Sequence, residues 1–300
     1  MDLPRLPKIS VGTSGFGNDY GKMSYGDCKQ IIDKALINRI NYIDTSPYYG
    51  NGLAEELVGK CLSNISRDRY IISTKAGRKS LREYSYIYYD IANSVMNSLK
   101  RLNCRYLDIV FINDIEFSDN LDVIINESIP ALVYLKNQGY IKYIGLSSMF
   151  LDKMDYVIKR SPHINYVMSS STYTLINNTL NQYTPGWNSS GIQVILGGVT
   201  SKGLLTKNGP YLNHPAPKNI KDVCKKMNDF CNDNNIDITE KAFYFSLGYK
   251  RFATILVGVH SSSELEKYIT WVDKEFGNNK IFINTLLEMA KPIKNVDWFF

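Results

Sequence analysis

Three residues that could act together on a carbonyl group follow predicted strands in the first part of the chain. Asp44 ends a short apolar run, Tyr49 follows five residues later, and Lys75 ends the next run. A free phenol has a pKa of about 10 and is a poor acid at neutral pH, but a neighbouring ammonium favours its ionised form. A carboxylate can hold that ammonium in place and offset its burial. The spacing predicts a proton relay ending on Tyr49, as oxidoreductase chemistry at a carbonyl requires.

Short β-branched runs alternate with stretches of helical period along the whole chain. The predicted strands are residues 9–12, 42–45, 70–74, 108–112, 143–146, 166–169, 193–196 and 254–257. The predicted helices include residues 25–38, 53–62, 91–102, 124–137, 151–159, 240–249 and 264–271. Such alternation predicts an α/β fold, a (β/α)8 TIM barrel formed by one domain over residues 1–300. The sixth connection is the least regular, and residues 203–219 are predicted to form a long irregular loop.

Composition excludes several classes of protein. The 300 residues are 44% hydrophobic with a formal net charge of +6, and the scattered Lys and Arg residues argue against nucleic-acid binding. We find no signal peptide and no run near the roughly 18 apolar residues of a membrane span. The five cysteines form no CxxC pair, and no cluster has metal-ligand spacing. We therefore expect a cytoplasmic monomer or weak homo-oligomer without a metal site that binds a small molecule.

Polar residues end several of the predicted strands. Asp44 ends the second strand, Asn113 and Asp114 end the fourth, and Ser147 and Ser148 end the fifth. In parallel barrels the chemistry lies at the carboxyl ends of the strands, so these side chains are predicted to converge there. An isolated Asp after a strand more often serves as a turn or cap residue, which makes the convergence the informative signal.

Four segments resemble the aldo-keto reductase superfamily: YIDTSPYYGNGLAEELVGK, YIISTKAG, DIVFINDIEF and IPALVYLKNQGYIKYIGLSS. Within this superfamily, three further segments resemble the branch of L-galactose and aldose dehydrogenases. They are NDIEF, GLLTKNGP with the HPAP that follows it, and ILVGVHSSSELE. The resemblance extends from about residue 9 to about residue 268. It implies an NAD(P)-dependent enzyme that transfers a hydride between nicotinamide and the carbonyl or hemiacetal carbon of a sugar or small aldehyde.

The resemblance assigns Tyr49 as the acid or base, supported by Lys75 and Asp44. The family has a catalytic histidine at the end of the fourth strand, and Asn113 stands there in this chain. An asparagine amide can donate a hydrogen bond but cannot titrate, and a weaker bond costs about 1–3 kcal/mol, or roughly 5-fold to 150-fold in rate. Two alternatives stay open. One is a structural ion pair under a packed tyrosine, and the other is an impaired relative with a nucleotide-binding, regulatory or redox-neutral sugar-modifying role.

The resemblance also implies a site for NAD or NADP. It assigns Ser147 to the nicotinamide carboxamide, places Ser148 where many members have asparagine, and leaves Gly197 where many carry a stacking aromatic residue. The expected cofactor contacts are Ser147, Ser148, Gly197, Gly198, Thr200, Ser201, Lys202, Gly258, His260, Ser261 and Glu264. A neutral glycine-rich turn is the alternative for the segment that begins at Gly197.

Ser261 and Glu264 have the spacing of a capping box at the start of a helix. A helix N-terminus attracts phosphate, and the resemblance implies that this one holds the adenosine side of the cofactor. The Glu264 carboxylate disfavours the additional phosphate of NADP, so NAD is slightly favoured. Tyr268 replaces a common adenine-binding asparagine.

Four aromatic residues are candidates for substrate contact at the mouth of the barrel, where rings could stack on a sugar. They are Phe16, Tyr20, Tyr48 and Phe117. Ordinary loop packing is the alternative for each of them.

Overall fold

Eight parallel strands form a closed barrel in the computed structural model, which describes residues 3–18, 21–80, 82–274 and 279–298. Each strand pairs with the next along the chain, and the last pairs with the first. The strands are β1 (Ile9–Gly12), β2 (Tyr42–Asp44), β3 (Ile71–Ala76), β4 (Leu107–Asn113), β5 (Ile141–Ser147), β6 (Tyr166–Ser170), β7 (Gln193–Gly197) and β8 (Phe252–Gly258). The predicted TIM barrel is confirmed.

Helices surround the barrel. They are α1 (Tyr25–Ile37), α2 (Leu53–Leu62), α3 (Tyr88–Arg101), α4 (Leu121–Val123), α5 (Ile129–Asn137), α6 (Leu151–Ile158), α7 (Thr184–Ser189), α8 (Lys218–Asp233), α9 (Ile238–Leu247), α10 (Ser262–Asp273) and α11 (Asn279–Ala290). Within the described ranges, no helix is long and apolar enough to span a membrane.

The single helix predicted over residues 124–137 is interrupted. A π-helical segment, Ile124–Ser128, lies between α4 and α5. Pro130, near the start of α5, lacks the amide hydrogen needed to continue a regular helix from the preceding turn. The sixth connection contains the 3-10 turn Thr179–Gln182 and the six-residue α7. Residues 198–217 contain no helix or strand, which agrees with the predicted irregular loop except for its last two residues, where α8 begins.

The interior of the barrel is filled by large side chains from its strands. Tyr42, Phe111 and Tyr166 are fully buried there, and Leu6 packs against the same cluster from the segment that precedes β1. Alternate residues of a strand point to opposite faces, so the other strand residues pack against the surrounding helices. This core fixes the strand ends that carry the polar residues.

We predict that Gly145→Ala lowers the free energy of unfolding by about 1–3 kcal/mol because the added methyl group overpacks the barrel. A Cβ at Gly145 would lie 2.4 Å from Cδ1 of Phe111. Urea denaturation measures the change. The control is Gly186→Ala on α7, where an added Cβ has no atom within 4 Å. Equal stability changes in the two variants would contradict the packing argument.

Candidate active site

A buried ion pair joins the ends of two neighbouring strands. Nζ of Lys75 on β3 lies 2.6 Å from Oδ2 of Asp44 on β2. Lys75 also donates a hydrogen bond of 2.8 Å to the carbonyl oxygen of Thr45. Asp44 is fully buried and Lys75 is 5% exposed. The parallel register places Asp44 opposite Ser73, so the lysine two residues further along β3 reaches the carboxylate from the same face.

Two buried hydroxyl groups form a hydrogen-bonded chain that ends on the Asp44 carboxylate. Ser73 donates a hydrogen bond of 2.7 Å to Oδ1 of Asp44, and the hydroxyl of Tyr42 lies 2.9 Å from Oγ of Ser73. Both carboxylate oxygens therefore have a partner, as a buried charge requires. Neither Ser73 nor Tyr42 was predicted from the sequence, because each has the features of an ordinary strand residue.

Tyr49 lies directly above this pair at the start of the 3-10 turn Tyr49–Gly52. Nζ of Lys75 is 5.1 Å from the centroid of its ring. Burial raises the pKa of Tyr49, and the positive charge of Lys75 opposes the rise without cancelling it. Although burial lowers the pKa of Lys75, its contact with Asp44 outweighs that effect and the pKa is raised. Tyr49 is thus a neutral phenol beside a permanent ammonium, whereas the sequence predicted a lowered tyrosine pKa.

Asn113 ends β4 beside the end of β3, next to Ser147 of β5. It is 7% exposed, and its backbone carbonyl accepts a hydrogen bond of 3.1 Å from the hydroxyl of Tyr86. In the described ranges its side-chain amide has no hydrogen bond. The side-chain N–H groups of Asn113 are therefore available to donate a hydrogen bond to a ligand.

Arg78 and Asp114 form one wall of the mouth. Asp114 has a left-handed backbone with φ of 54°, and Nη1 of Arg78 donates a hydrogen bond of 2.9 Å to its carboxylate. Burial raises the pKa of Asp114, and Arg78 opposes this. The Arg78 guanidinium lies 3.7 Å from the centroid of the Tyr48 ring, which places this predicted substrate residue at the wall.

The other aromatic residues predicted to contact the substrate differ in how accessible their rings are. Phe117 is 50% exposed and stacks on Tyr84 with ring centroids 4.2 Å apart, so its ring is available at the surface. Phe16 is fully buried and offers no ring surface to a ligand. Tyr20 lies outside the described residues.

Glu116 occupies a half-buried position behind the wall. Its carboxylate accepts a hydrogen bond of 2.6 Å from Oγ of Ser148, which itself accepts one of 2.9 Å from the amide of Phe150. Burial raises the pKa of Glu116 to about 7, although the Ser148 bond opposes the rise. The Ser148 hydroxyl is thus engaged with Glu116, away from the predicted cofactor position.

A cleft of about 940 Å³ opens beside Tyr49, between the ends of β7, β8 and β1. Predicted cofactor residues that line it are Gly197, Gly198, Thr200, Lys202, Gly258, His260 and Glu264. The other four, Ser147, Ser148, Ser201 and Ser261, are not part of its lining. Ser201 is fully buried and donates a hydrogen bond of 3.1 Å to the Thr174 hydroxyl.

The glycines on this wall pack closely against the segment that ends β6. A Cβ at Gly197 would lie 2.8 Å from Oγ of Ser170, and Gly198 has a positive φ of 62°. The cleft volume and the N-terminus of α10 together fit a dinucleotide. Among the described residues, no cluster of His, Cys, Asp and Glu could hold a metal ion.

One of the two hydrogen bonds of the predicted capping box is present at the start of α10. Ser261 accepts a hydrogen bond of 3.1 Å from the amide of Glu264. In a capping box the Glu264 carboxylate would accept a hydrogen bond from the backbone amide of the N-cap residue, Ser261. Here it accepts one of 2.8 Å from the preceding amide, that of His260. Burial acts to raise the pKa of Glu264, but the contacts with His260 outweigh it and the pKa is lowered. The cleft therefore keeps a negative charge at Glu264. Tyr268, which stands at a common adenine-binding position of the family, packs edge-on against Phe243.

The fold and this arrangement of strand-end residues define an aldo/keto reductase, and the chain belongs to that family of oxidoreductases, whose model matches residues 8–281. It is 32% identical to L-galactose dehydrogenase from Arabidopsis thaliana, with 98% of this chain and 93% of that protein covered. It is 30% identical to D-arabinose 1-dehydrogenase from Saccharomyces cerevisiae, covering 79% and 74%. A holo-form aldo-keto reductase structure from Bacillus halodurans has a similar fold, with a TM-score of 0.77 and 23% identity over 94% and 92% of the chains.

We predict that Glu116→Gln becomes more stable relative to the wild-type protein as the pH rises from about 5 to about 8. Because the folded-state pKa of about 7 lies above the ordinary 4.5, the stabilising contribution of Glu116 is present at low pH and lost as the pH rises through 7. The glutamine cannot ionise, so the difference in unfolding free energy should grow by as much as ~3 kcal/mol. Urea denaturation at several pH values tests this.

Glu56→Gln on the exposed face of α2 is the matched control, because it removes a carboxylate from the surface. A difference between Glu116→Gln and the wild type that stays constant across this pH range would refute the assignment.

Proposed function

We propose that this protein is an NAD(P)-dependent oxidoreductase acting on the carbonyl or hemiacetal carbon of a sugar or small aldehyde. The observation that carries the proposal is the convergence of Asp44, Lys75 and Tyr49, because Asp44 and Tyr49 line a cleft large enough for a dinucleotide. Family membership and the sugar-dehydrogenase relatives support the substrate class. A bound nicotinamide would supply or accept the hydride.

The chain's own residues handle the proton. In the reducing direction Tyr49 donates its proton to the substrate oxygen. In the oxidising direction its ionised form, the tyrosinate, accepts the proton of the substrate hydroxyl. Lys75 keeps its positive charge and stabilises the tyrosinate that forms, while Asp44 holds the ammonium in position. Asn113 donates a hydrogen bond to the same oxygen in place of the family's histidine.

The cofactor is assigned to the cleft beside Tyr49, on the predicted residues that line it. Gly197 and Gly198 let the backbone approach the ligand, and Lys202 offers positive charge to the pyrophosphate. The N-terminus of α10 holds the adenosine side. The ionised Glu264 at that point repels the additional 2′-phosphate group of NADP, which favours NAD over NADP. We propose a cytoplasmic location, supported by the odd number and wide spacing of the cysteines.

We predict saturable binding of NAD(H) in fluorescence titrations and turnover of aldoses followed by the absorbance of the reduced nicotinamide. Tyr49→Phe should lower kcat by about 10²- to 10⁴-fold because it removes the proton donor. Tyr134→Phe, which removes an exposed tyrosine hydroxyl from α5, is the matched control and should leave kcat unchanged. Binding of nucleotide without turnover in the wild type would favour the impaired relative that Asn113 suggests, and failure to bind either nucleotide would overturn the proposal.

A second prediction concerns the choice of cofactor. Glu264→Gln should increase the affinity for NADP(H) relative to NAD(H) by about tenfold, because it removes a negative charge from the adenosine end of the cleft. Glu266→Gln on the same helix is the control, since Glu266 pairs with Lys34 on α1. The same change in the affinity ratio for both variants would rule out a specific role for Glu264.

A further inference from the structure

A second cavity lies at the opposite end of the barrel from the candidate active site. It has a volume of about 450 Å³ and lies between the segment before β1, the start of β7 and the start of β8. Its lining residues are Arg5, Leu6, Lys8, Asn188, Gln193, Leu247, Tyr249, Lys250, Arg251, Phe252, Ala253, Thr254 and Ile255. The active-site cleft is formed by the other ends of these strands, so the two cavities are separate.

The charges around this cavity are all of one sign. Arg5, Lys8, Lys250 and Arg251 line it, and no carboxylate from the described part of the chain does. None of these four side chains forms a salt bridge within the described ranges. By contrast, Arg67 and Lys142 both pair with Asp108 elsewhere on the protein.

Four cations without a partner carboxylate among the described residues raise the local positive potential and attract anions. Nζ of Lys250 also lies 3.5 Å from the Leu247 carbonyl, so its charge faces the negative end of the α9 dipole and reduces the repulsion of an anion there.

Two residues that line the cavity, Gln193 and Tyr249, each carry a neutral polar atom without a partner among the described residues. The hydroxyl of Tyr249 and Oε1 of Gln193 are buried, and neither makes a hydrogen bond in the described structure. Buried polar atoms in native proteins are normally paired, and these two have almost no accessible surface, so a ligand in the cavity reaches them only when the lining side chains shift. The Tyr249 ring is held by Tyr173 and Phe252, whose centroids are 4.7 Å and 4.9 Å away.

We propose that this cavity binds a small polyanion with a diphosphate group, such as inorganic pyrophosphate or the diphosphate of a nucleotide. Its volume lies within the range of about 300–1,000 Å³ that is usual for small-molecule sites. Four cations around one opening match several negative charges better than one. The four cations bind the phosphate oxygens, and the Tyr249 hydroxyl donates to one of these oxygens once the lining side chains shift.

Calorimetric titration of the full chain with inorganic pyrophosphate, in the presence of saturating NAD⁺, tests the proposal. The double variant Lys250→Glu with Arg251→Glu should raise Kd at least about tenfold, and added NaCl should weaken binding to the wild type. The matched control is Lys100→Glu with Lys226→Glu, which makes the same change in net charge on exposed helix surfaces away from the cavity. The control should leave Kd unchanged.

Tyr249→Phe provides a second test that does not alter charge. It keeps the ring and removes the hydroxyl, so Kd should rise about fivefold if this group contacts the anion. The proposal fails if pyrophosphate does not bind, if the control variant loses as much affinity as the double variant, or if only the protein without NAD⁺ binds. That last result would place the anion in the nucleotide cleft.

Discussion

The ion pair between Lys75 and Asp44 is the interaction on which the candidate active site depends. Removing two charges from water costs several kcal/mol each, and that cost is offset only where the remaining hydrogen-bonding groups also have partners. Here Ser73 and the Thr45 carbonyl supply them, and Tyr42 fixes Ser73 from inside the barrel. The position of Tyr49 relative to a charged lysine is therefore determined by the packing of the barrel interior.

The fold and the central part of the site were predictable because they depend on local sequence. Short β-branched runs identified every strand to within two residues at each end, and a parallel register then brings Asp44 and Lys75 together. The prediction omitted α8, although Ile220, Cys224 and Met227 on its buried face follow the helical period. Many Lys, Asp and Asn residues lie between these few apolar positions, and they make the helical period hard to see in the sequence.

Other parts of the site depend on contacts between distant segments, which spacing cannot reveal. Ser148 turns towards Glu116, and Glu264 caps the amide of His260 instead of closing a regular capping box. The rise in the pKa of Tyr49 also follows from burial, which depends on the packing of the whole neighbourhood. Motif matching assigns residue types to positions, whereas only the fold decides which groups those residues meet.

The closure of the barrel has a consequence for the order in which the site can form. Asp44 and Lys75 belong to consecutive strands, so their contact closes a segment of only 31 residues. The nucleotide cleft needs β1 beside β8, two segments from opposite ends of the chain. Long-range contacts of this kind carry the larger loop-closure entropy. A nucleotide in the cleft would bind only the completed barrel, and its binding energy would therefore oppose the detachment of the first strand.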